Sequence, residues 1–364
     1  MKIALILPNI IDKAPFVDYY TDVFKENKNI DWIYITWQRD KKSQENYFGK
    51  KVYEFNFKSP ETNSKIKKIF HYKFFASFVK KVLKAENVDY IIIFTIQGGV
   101  FLHEFLKKYF DKKYIFDIRD YSPLYPFFKK NVEELIEHSV FCVISSPGYK
   151  QWLPRQYEYV LSHNIRKKLL LEAMRTMDQL TVFKQGKPIK ILTIGQIRDY
   201  SSNSKIINSL TNKKEFELYF VGEGICTNQL KKFAEVANNV YFTGRYLKAD
   251  EGDIVEKYDL INILLPISYI DNNLMTNRFY LSLIHRKPMI VNRESFHAQY
   301  VSKYKVGLII EEHDDIGEKI LEYINSFDET IYQKSCLELL FDIKNDIDEF
   351  ETRLKNALNQ PNNE

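Results

Sequence analysis

Four short apolar runs between Pro188 and Asn292 constrain this chain more than any other feature. They are Ile189-Lys190-Ile191-Leu192-Thr193-Ile194-Gly195, Leu218-Tyr219-Phe220-Val221-Gly222-Glu223-Gly224, Val240-Tyr241-Phe242-Thr243-Gly244 and Pro288-Met289-Ile290-Val291-Asn292. The first three have the length and β-branched or aromatic content of buried strands, and each stops at glycine. Glycine at a strand's carboxyl end lets the backbone turn sharply and approach a ligand closely. Open α/β sheets bind ligands at that end. The series therefore predicts a nucleotide-binding face.

A length of 364 residues favours two domains, and 45% hydrophobic content supports sizeable cores. Cys142, Cys226 and Cys336 are scattered without metal-ligand spacing, which predicts reduced core thiols in a cytoplasmic protein. Met1 to Asn9 reads as a first strand stopped by Pro8, not a signal peptide. No apolar run approaches the ~20 residues that span a bilayer.

The net charge of +5 is uneven: 31 Lys+Arg face 21 Asp+Glu through Gly186, and 22 face 27 thereafter. Lys65, Lys67, Lys68, Lys80, Lys81 and Lys84 share an amphipathic stretch with Phe70, Phe74, Phe75 and Phe78. Lys107, Lys108, Lys112 and Lys113 follow downstream. Such a face is either ordinary solvated helix or a patch that docks on an anionic membrane surface. No motif accompanies the charge to suggest nucleic acid.

Strand and helix alternate through the first half. Strands are expected at Lys2–Leu7, Ile30–Trp37, Lys51–Phe57, Asp89–Phe94, Lys113–Asp117 and Phe141–Ile144. Helices are expected at Asp18–Lys28, Lys65–Glu86, Val100–Tyr109 and Val132–His138, with Gly98-Gly99 read as a turn. The stretch from Asn164 to Gly186 reads as the join, and Lys184-Gln185-Gly186-Lys187-Pro188 as the restart. The same rhythm then runs to Ile324, before two helical tail segments, Glu329–Leu340 and Asp342–Leu358. The expected class is α/β: two doubly wound Rossmann-like domains, 1–180 and 187–340, facing across a cleft. Residues 342–364 are a candidate to pack back on the first.

From Gly195 onward the chain resembles the nucleotide-sugar half of a GT-B glycosyltransferase, most similar to glycosyltransferase family 4. Gly195-Gln196-Ile197-Arg198 resembles that family's first glycine-x-x-arginine turn, and Val221-Gly222-Glu223-Gly224 its second glycine turn. Val240 to Arg245 resembles the strand before the base pocket. Thr276-Asn277-Arg278-Phe279-Tyr280 and Arg286-Lys287-Pro288-Met289-Ile290-Val291 resemble the donor helix and the strand it feeds. Three positions depart from the pattern. Asn273 and Leu281 stand where two glutamates are usual, and Arg286 stands where a glycine is. Asp271 is the substitute carboxylate for a ribose contact.

The resemblance implies a nucleotide diphosphate-sugar donor, a glycan or lipid-linked acceptor, and no further cofactor or metal. Gly195, Arg198, Gly222, Gly224, Arg245, Tyr246, Asn277 and Arg278 are the donor-binding candidates. The helix starting near Thr276 presents its N–H groups and dipole to phosphate. Arg198 and Arg278 offer planar forks for two-point contacts, and Arg278 in a first helical turn opposes the dipole unless an anion is near. The glycines also serve simply as turn formers, and Tyr246 as an ordinary aromatic. In the first half Asp120, following Asp117-Ile118-Arg119, is the catalytic candidate to orient or deprotonate an acceptor hydroxyl. His103 is the second candidate, with a structural role as its alternative. Asp117 and Arg119 can equally form a structural pair, and His163 is open in the same way.

Other chemistries lack their motifs. There is no Gly-x-x-x-x-Gly-Lys-Ser/Thr loop, no Gly-x-Gly-x-x-Gly after a first strand, no Gly-x-Ser-x-Gly elbow and no His/Cys cluster. Asp346-Ile347-Asp348 falls in the charged tail and reads as a solvated face. The leading expectation is a cytoplasmic glycosyltransferase of bacterial capsule or lipopolysaccharide synthesis, possible also at the inner membrane surface. Its rivals are a non-catalytic GT-B-like subunit, which Asn273 and Leu281 favour, and a sugar-nucleotide epimerase, which needs more cleft carboxylates and histidines.

Overall fold

A computed structural model describes residues 1–11, 14–39, 46–47, 49–59, 65–176, 183, 186–268 and 270–359. The chain divides into two compact units. One holds Met1–Arg166 with Asn345–Glu364, the other Lys167–Lys344.

The first unit carries β1 (Lys2–Leu7), β2 (Asp31–Gln38), β3 (Asn46–Tyr47), β4 (Lys50–Asn56), β5 (Tyr90–Phe94), β6 (Tyr114–Ile118), β7 (Cys142–Ile144) and β8 (Tyr159–Leu161). They form one sheet in the order β3-β4-β2-β1-β5-β6-β7-β8, parallel except for the β3–β4 edge pair. Its central strands are apolar runs because helices cover both faces. Ile3 to Ile6 and Ile91 to Ile93 are fully buried and pair in register, Ile3 opposite Tyr90.

The second unit carries β9 (Ile189–Ile194), β10 (Phe216–Val221), β11 (Val240–Gly244), β12 (Leu260–Asn262), β13 (Met289–Asn292) and β14 (Gly307–Ile310). All pairs are parallel, in the order β11-β10-β9-β12-β13-β14. The chain builds outward from β9 to β11, then returns to lay β12 on the other side of β9. The gap between the carboxyl ends of β9 and β12 is therefore the point where strand order reverses, the usual crevice for a ligand.

Four sequence expectations need correction. Gly98 and Gly99 lie inside a short helix, Ile96–Val100, started by the Thr95 hydroxyl, which accepts a hydrogen bond from the Gly98 N–H at 3.2 Å. The helix expected over Val100–Tyr109 therefore begins only at His103, running to Tyr109. The expected join contains a helix, Lys167–Arg175, that belongs to the second unit. Lys184 and Gln185 of the restart lie outside the described residues. The two tail segments are one helix, Glu329–Asn359. Neither glycine nor proline interrupts it, and Tyr332, Cys336, Leu339, Ile343, Ile347, Phe350, Leu354 and Leu358 keep one buried stripe at three- and four-residue spacing.

Candidate functional site

The carboxyl ends of β9, β10 and β11 turn at glycines with left-handed backbone: Gly195 at φ +95°, Gly222 at +129° and Gly244 at +79°. A Cβ on Gly222 would lie 2.0 Å from the Gly195 carbonyl oxygen, and one on Gly224 2.1 Å from that of Ile197. The two loops thus pack backbone on backbone. Their N–H groups are also committed: Gly195 donates to Val221 O, Gly222 to Gly244 O, and Gly224 to the Thr227 hydroxyl, all at 2.8–2.9 Å. These glycines shape the floor of the site, and side chains supply its donors.

Above that floor lies an open hollow of about 720 Å³, lined by Gly195, Gln196, Gly222, Gly224, Ile225, Lys231 and Tyr246 among others. Arg245 also lines it, but its exposed guanidinium pairs with Glu223 at 2.7 Å. The Tyr246 hydroxyl donates to Glu251 at 2.7 Å, which fixes the ring against the hollow. Ile225 is 85% exposed there, an apolar surface opposite no core.

Arg278 occupies the strand-reversal point. Asn277–Ile284 is a helix, and from its first turn the Arg278 guanidinium reaches the ends of two strands. Nε donates to Ile194 O at 2.8 Å, Nη1 to Asn262 O at 3.3 Å, and Nη2 to Gln196 O at 3.4 Å. All three partners are neutral carbonyls, and among the described residues no carboxylate lies within ion-pair distance of this cation. Burial draws its pKa down to about 10, so it remains charged at neutral pH. Among the described residues this half-buried cation has no counter-ion, so its charge is left uncompensated by the protein.

His297 supports it. The imidazole is completely buried, and its Nε2 accepts from the Thr276 N–H at 3.1 Å, immediately before the Arg278 helix. Burial first, and the nearby Arg278 charge second, hold its pKa down at about 3. The ring is therefore neutral, with the tautomer fixed by that bond. Sequence reading missed His297 because 21 positions separate it from its partner and no local motif marks it.

Arg198 is exposed; its guanidinium bonds the side chain of Gln196, and its carbonyl accepts from the Cys226 thiol at 2.7 Å. Asn277 opens the Arg278 helix and is exposed. Asp271 accepts from the Ser268 hydroxyl, and Asn273 is buried. Arg286 adopts φ +50°, a conformation glycine takes without strain, which is why a glycine suits that position. Here the larger residue has a use. Its buried guanidinium donates to the carbonyls of Ala173 at 2.7 Å and Thr176 at 2.9 Å, closing the end of the Lys167–Arg175 helix. Arg286→Ala should lower the second unit's stability by about 2–4 kcal/mol in urea denaturation. Arg286→Gly should lose about 1 kcal/mol less, because it sheds the backbone strain.

In the first unit Asp120 is exposed just beyond β6. Asp117 and Arg119 are a buried pair at 2.5 Å, and Asp117 also accepts from the Tyr20 hydroxyl at 2.7 Å. Arg119 further donates to the carbonyl and hydroxyl of Ser162, both at 3.0 Å. His103 is 5% exposed with both ring nitrogens engaged: Nε2 with Glu134 at 3.0 Å and Nδ1 with Asn131 at 3.2 Å. His163 is buried against Asp346 at 2.9 Å, so the first carboxylate of Asp346-Ile347-Asp348 has a packing partner. Among the described residues no group of three His, Cys, Asp or Glu side chains is placed to hold a metal ion, and no helix is long and apolar enough to cross a membrane.

No protein-family model matches the chain, and no curated protein sequence matches it significantly. Solved structures do. A sucrose-phosphate synthase from Thermosynechococcus elongatus aligns with TM-score 0.71 at 12% identity, covering 97% of this chain and 98% of that one. A lipopolysaccharide outer core galactosyltransferase, WaaB, aligns with TM-score 0.63 at 13% identity over 96% and 99%. A glycosyltransferase from Rickettsia africae aligns with TM-score 0.62 at 12% identity over 99% of both. Such low identity with near-complete coverage speaks to architecture, and it agrees with the two strand orders found here: this chain has the GT-B fold of glycosyltransferases.

Proposed function

We propose that this protein is a glycosyltransferase that binds a nucleotide diphosphate-sugar at the carboxyl edge of the β9–β14 sheet. It would pass the sugar to a glycan or lipid-linked acceptor in bacterial surface polysaccharide synthesis. The observation that carries the reading is Arg278, a cation at the strand-reversal point whose hydrogen-bond partners among the described residues are all carbonyls. In transfer, the bond between the anomeric carbon and the diphosphate oxygen breaks, and the acceptor hydroxyl oxygen forms the new one. Negative charge then grows on the leaving diphosphate. Arg278, the amino end of its helix and the exposed Arg198 are the groups proposed to stabilise it. Ile225 and Tyr246 are the proposed walls for the base. Asp120 is the proposed group in the first unit for orienting the acceptor hydroxyl, with the donor phosphate the alternative recipient of its proton.

The test is a thermal-shift screen of nucleoside diphosphates followed by an assay for sugar release. A ligand at 100 times its Kd should stabilise the second unit by about 2.7 kcal/mol. No shift with any nucleotide would remove the donor site. Asn273 and Leu281, in place of two carboxylates, favour a second reading: a nucleotide-binding subunit without turnover. Binding with neither donor hydrolysis nor transfer to any acceptor would establish that one.

A further inference from the structure

The helix Lys65–Ala85 presents a surface that the donor site does not use. Its inner face is complete: Phe75, Ala76, Val79, Val82 and Leu83 are buried, and Phe75 stacks on Trp37 at 5.4 Å. Yet Phe70 and Phe74, one turn apart on the outer face, are 53% and 52% exposed. Phe74 touches the Phe57 ring at 5.9 Å, but about half of each of the two residues still faces solvent.

The charge around them has one sign. The helix contains seven lysines and no carboxylate. Among the described residues Lys68, Lys73, Lys81 and Lys84 have no carboxylate at ion-pair distance, and Lys73 lies over the Phe70 ring at 5.8 Å. Past the helix's end, a hollow of about 440 Å³ continues the surface, lined by Lys84, Lys113, Phe105 and Tyr109 among others, with one carboxylate, Asp89, which accepts from the Lys2 N–H at 2.7 Å. Tyr109 is 55% exposed, with Lys108 over its ring at 5.1 Å.

We infer that this face docks on a bilayer containing anionic lipid. Phe70 and Phe74 enter the boundary between headgroups and acyl chains, while the lysines on either side meet lipid phosphates. Charge complementarity selects an anionic partner. The convex helix with its two protruding rings selects a bilayer over single-stranded nucleic acid, which is bound in grooves. The inference stands apart from the transfer reading, since none of these residues belongs to the donor site.

The experiment is sedimentation of the full chain with vesicles of phosphatidylcholine alone or mixed with phosphatidylglycerol. Binding to the mixed vesicles only, weakening with salt, is expected. Lys81→Glu combined with Lys84→Glu should lower affinity at least ~25-fold, from about fivefold for each lysine removed. Phe70→Ser with Phe74→Ser should lower it ~10-fold or more without changing the salt dependence. The nucleotide-induced thermal shift, measured in the same variants, should be unchanged, which separates a docking defect from misfolding or from failure of the donor site. Absence of vesicle binding, equal binding to neutral vesicles, or indifference to both pairs of substitutions overturns the inference. So does RNA binding that is lost in the lysine variants while vesicles are ignored.

Discussion

Gly222→Ala is expected to destabilise the second unit by about 3 kcal/mol or more, lowering its melting temperature by roughly 6–12 °C. Two costs combine. The backbone at φ +129° is a region that residues with a Cβ rarely enter. The new methyl would also stand 2.0 Å from the Gly195 carbonyl oxygen and 2.9 Å from its carbon, neither of which belongs to a flexible side chain. Relief would require the β9 and β10 loops to part, breaking the bonds from Gly195 N–H to Val221 O and from Gly222 N–H to Gly244 O. Gly244→Ala is the control. Its added carbon meets nothing nearer than a glutamate oxygen at 3.9 Å, so only the cost of φ +79° remains, about 1 kcal/mol. Equal losses in the two variants would refute the backbone-contact explanation.

Arg278→Ala should abolish most of the thermal shift that a nucleoside diphosphate produces, through a roughly 10- to 100-fold loss of affinity. The unliganded protein should melt almost where the parent does. The variant loses three hydrogen bonds to carbonyls but also relieves the desolvation of a cation without a counter-ion. Arg278→Lys should fall between, since it restores charge but cannot span Ile194 O and Asn262 O with one planar group. A melting point that collapses without ligand, or undiminished nucleotide affinity, would assign Arg278 to structure alone.

The sheet architecture was legible because buried parallel strands are written as uninterrupted apolar runs, and Tyr90 to Phe94 or Ile189 to Ile194 have few other ways to fold. The strand-reversal point was not legible, since only the pairing of β12 with β9 reveals it. What stayed hidden depends on contacts between distant residues. Nothing local shows that Gly222 must clear the Gly195 carbonyl, or that His297 accepts from the Thr276 N–H. Arg286 looked like a departure from a glycine position, whereas its side chain finds the carbonyls of Ala173 and Thr176 more than a hundred positions upstream. The helix boundaries at Gly98-Gly99 and at Phe341 failed for a related reason. Propensity marks glycine as a break and a charged residue as an edge, but packing against buried neighbours overrides both.

The 31-residue helix Glu329–Asn359 starts in one unit and finishes in the other, so the first unit is made of two pieces of chain. Phe350 packs edge-on against Tyr20 at 4.9 Å, and Asp346 holds His163. The opening 166 residues therefore leave the ribosome lacking part of their own interior. They must wait through the synthesis of the whole β9–β14 unit before the last segment arrives to finish them. A gene cut after Lys344 would remove nothing from the β9–β14 sheet, yet it would yield an N-terminal half that never completes its folding.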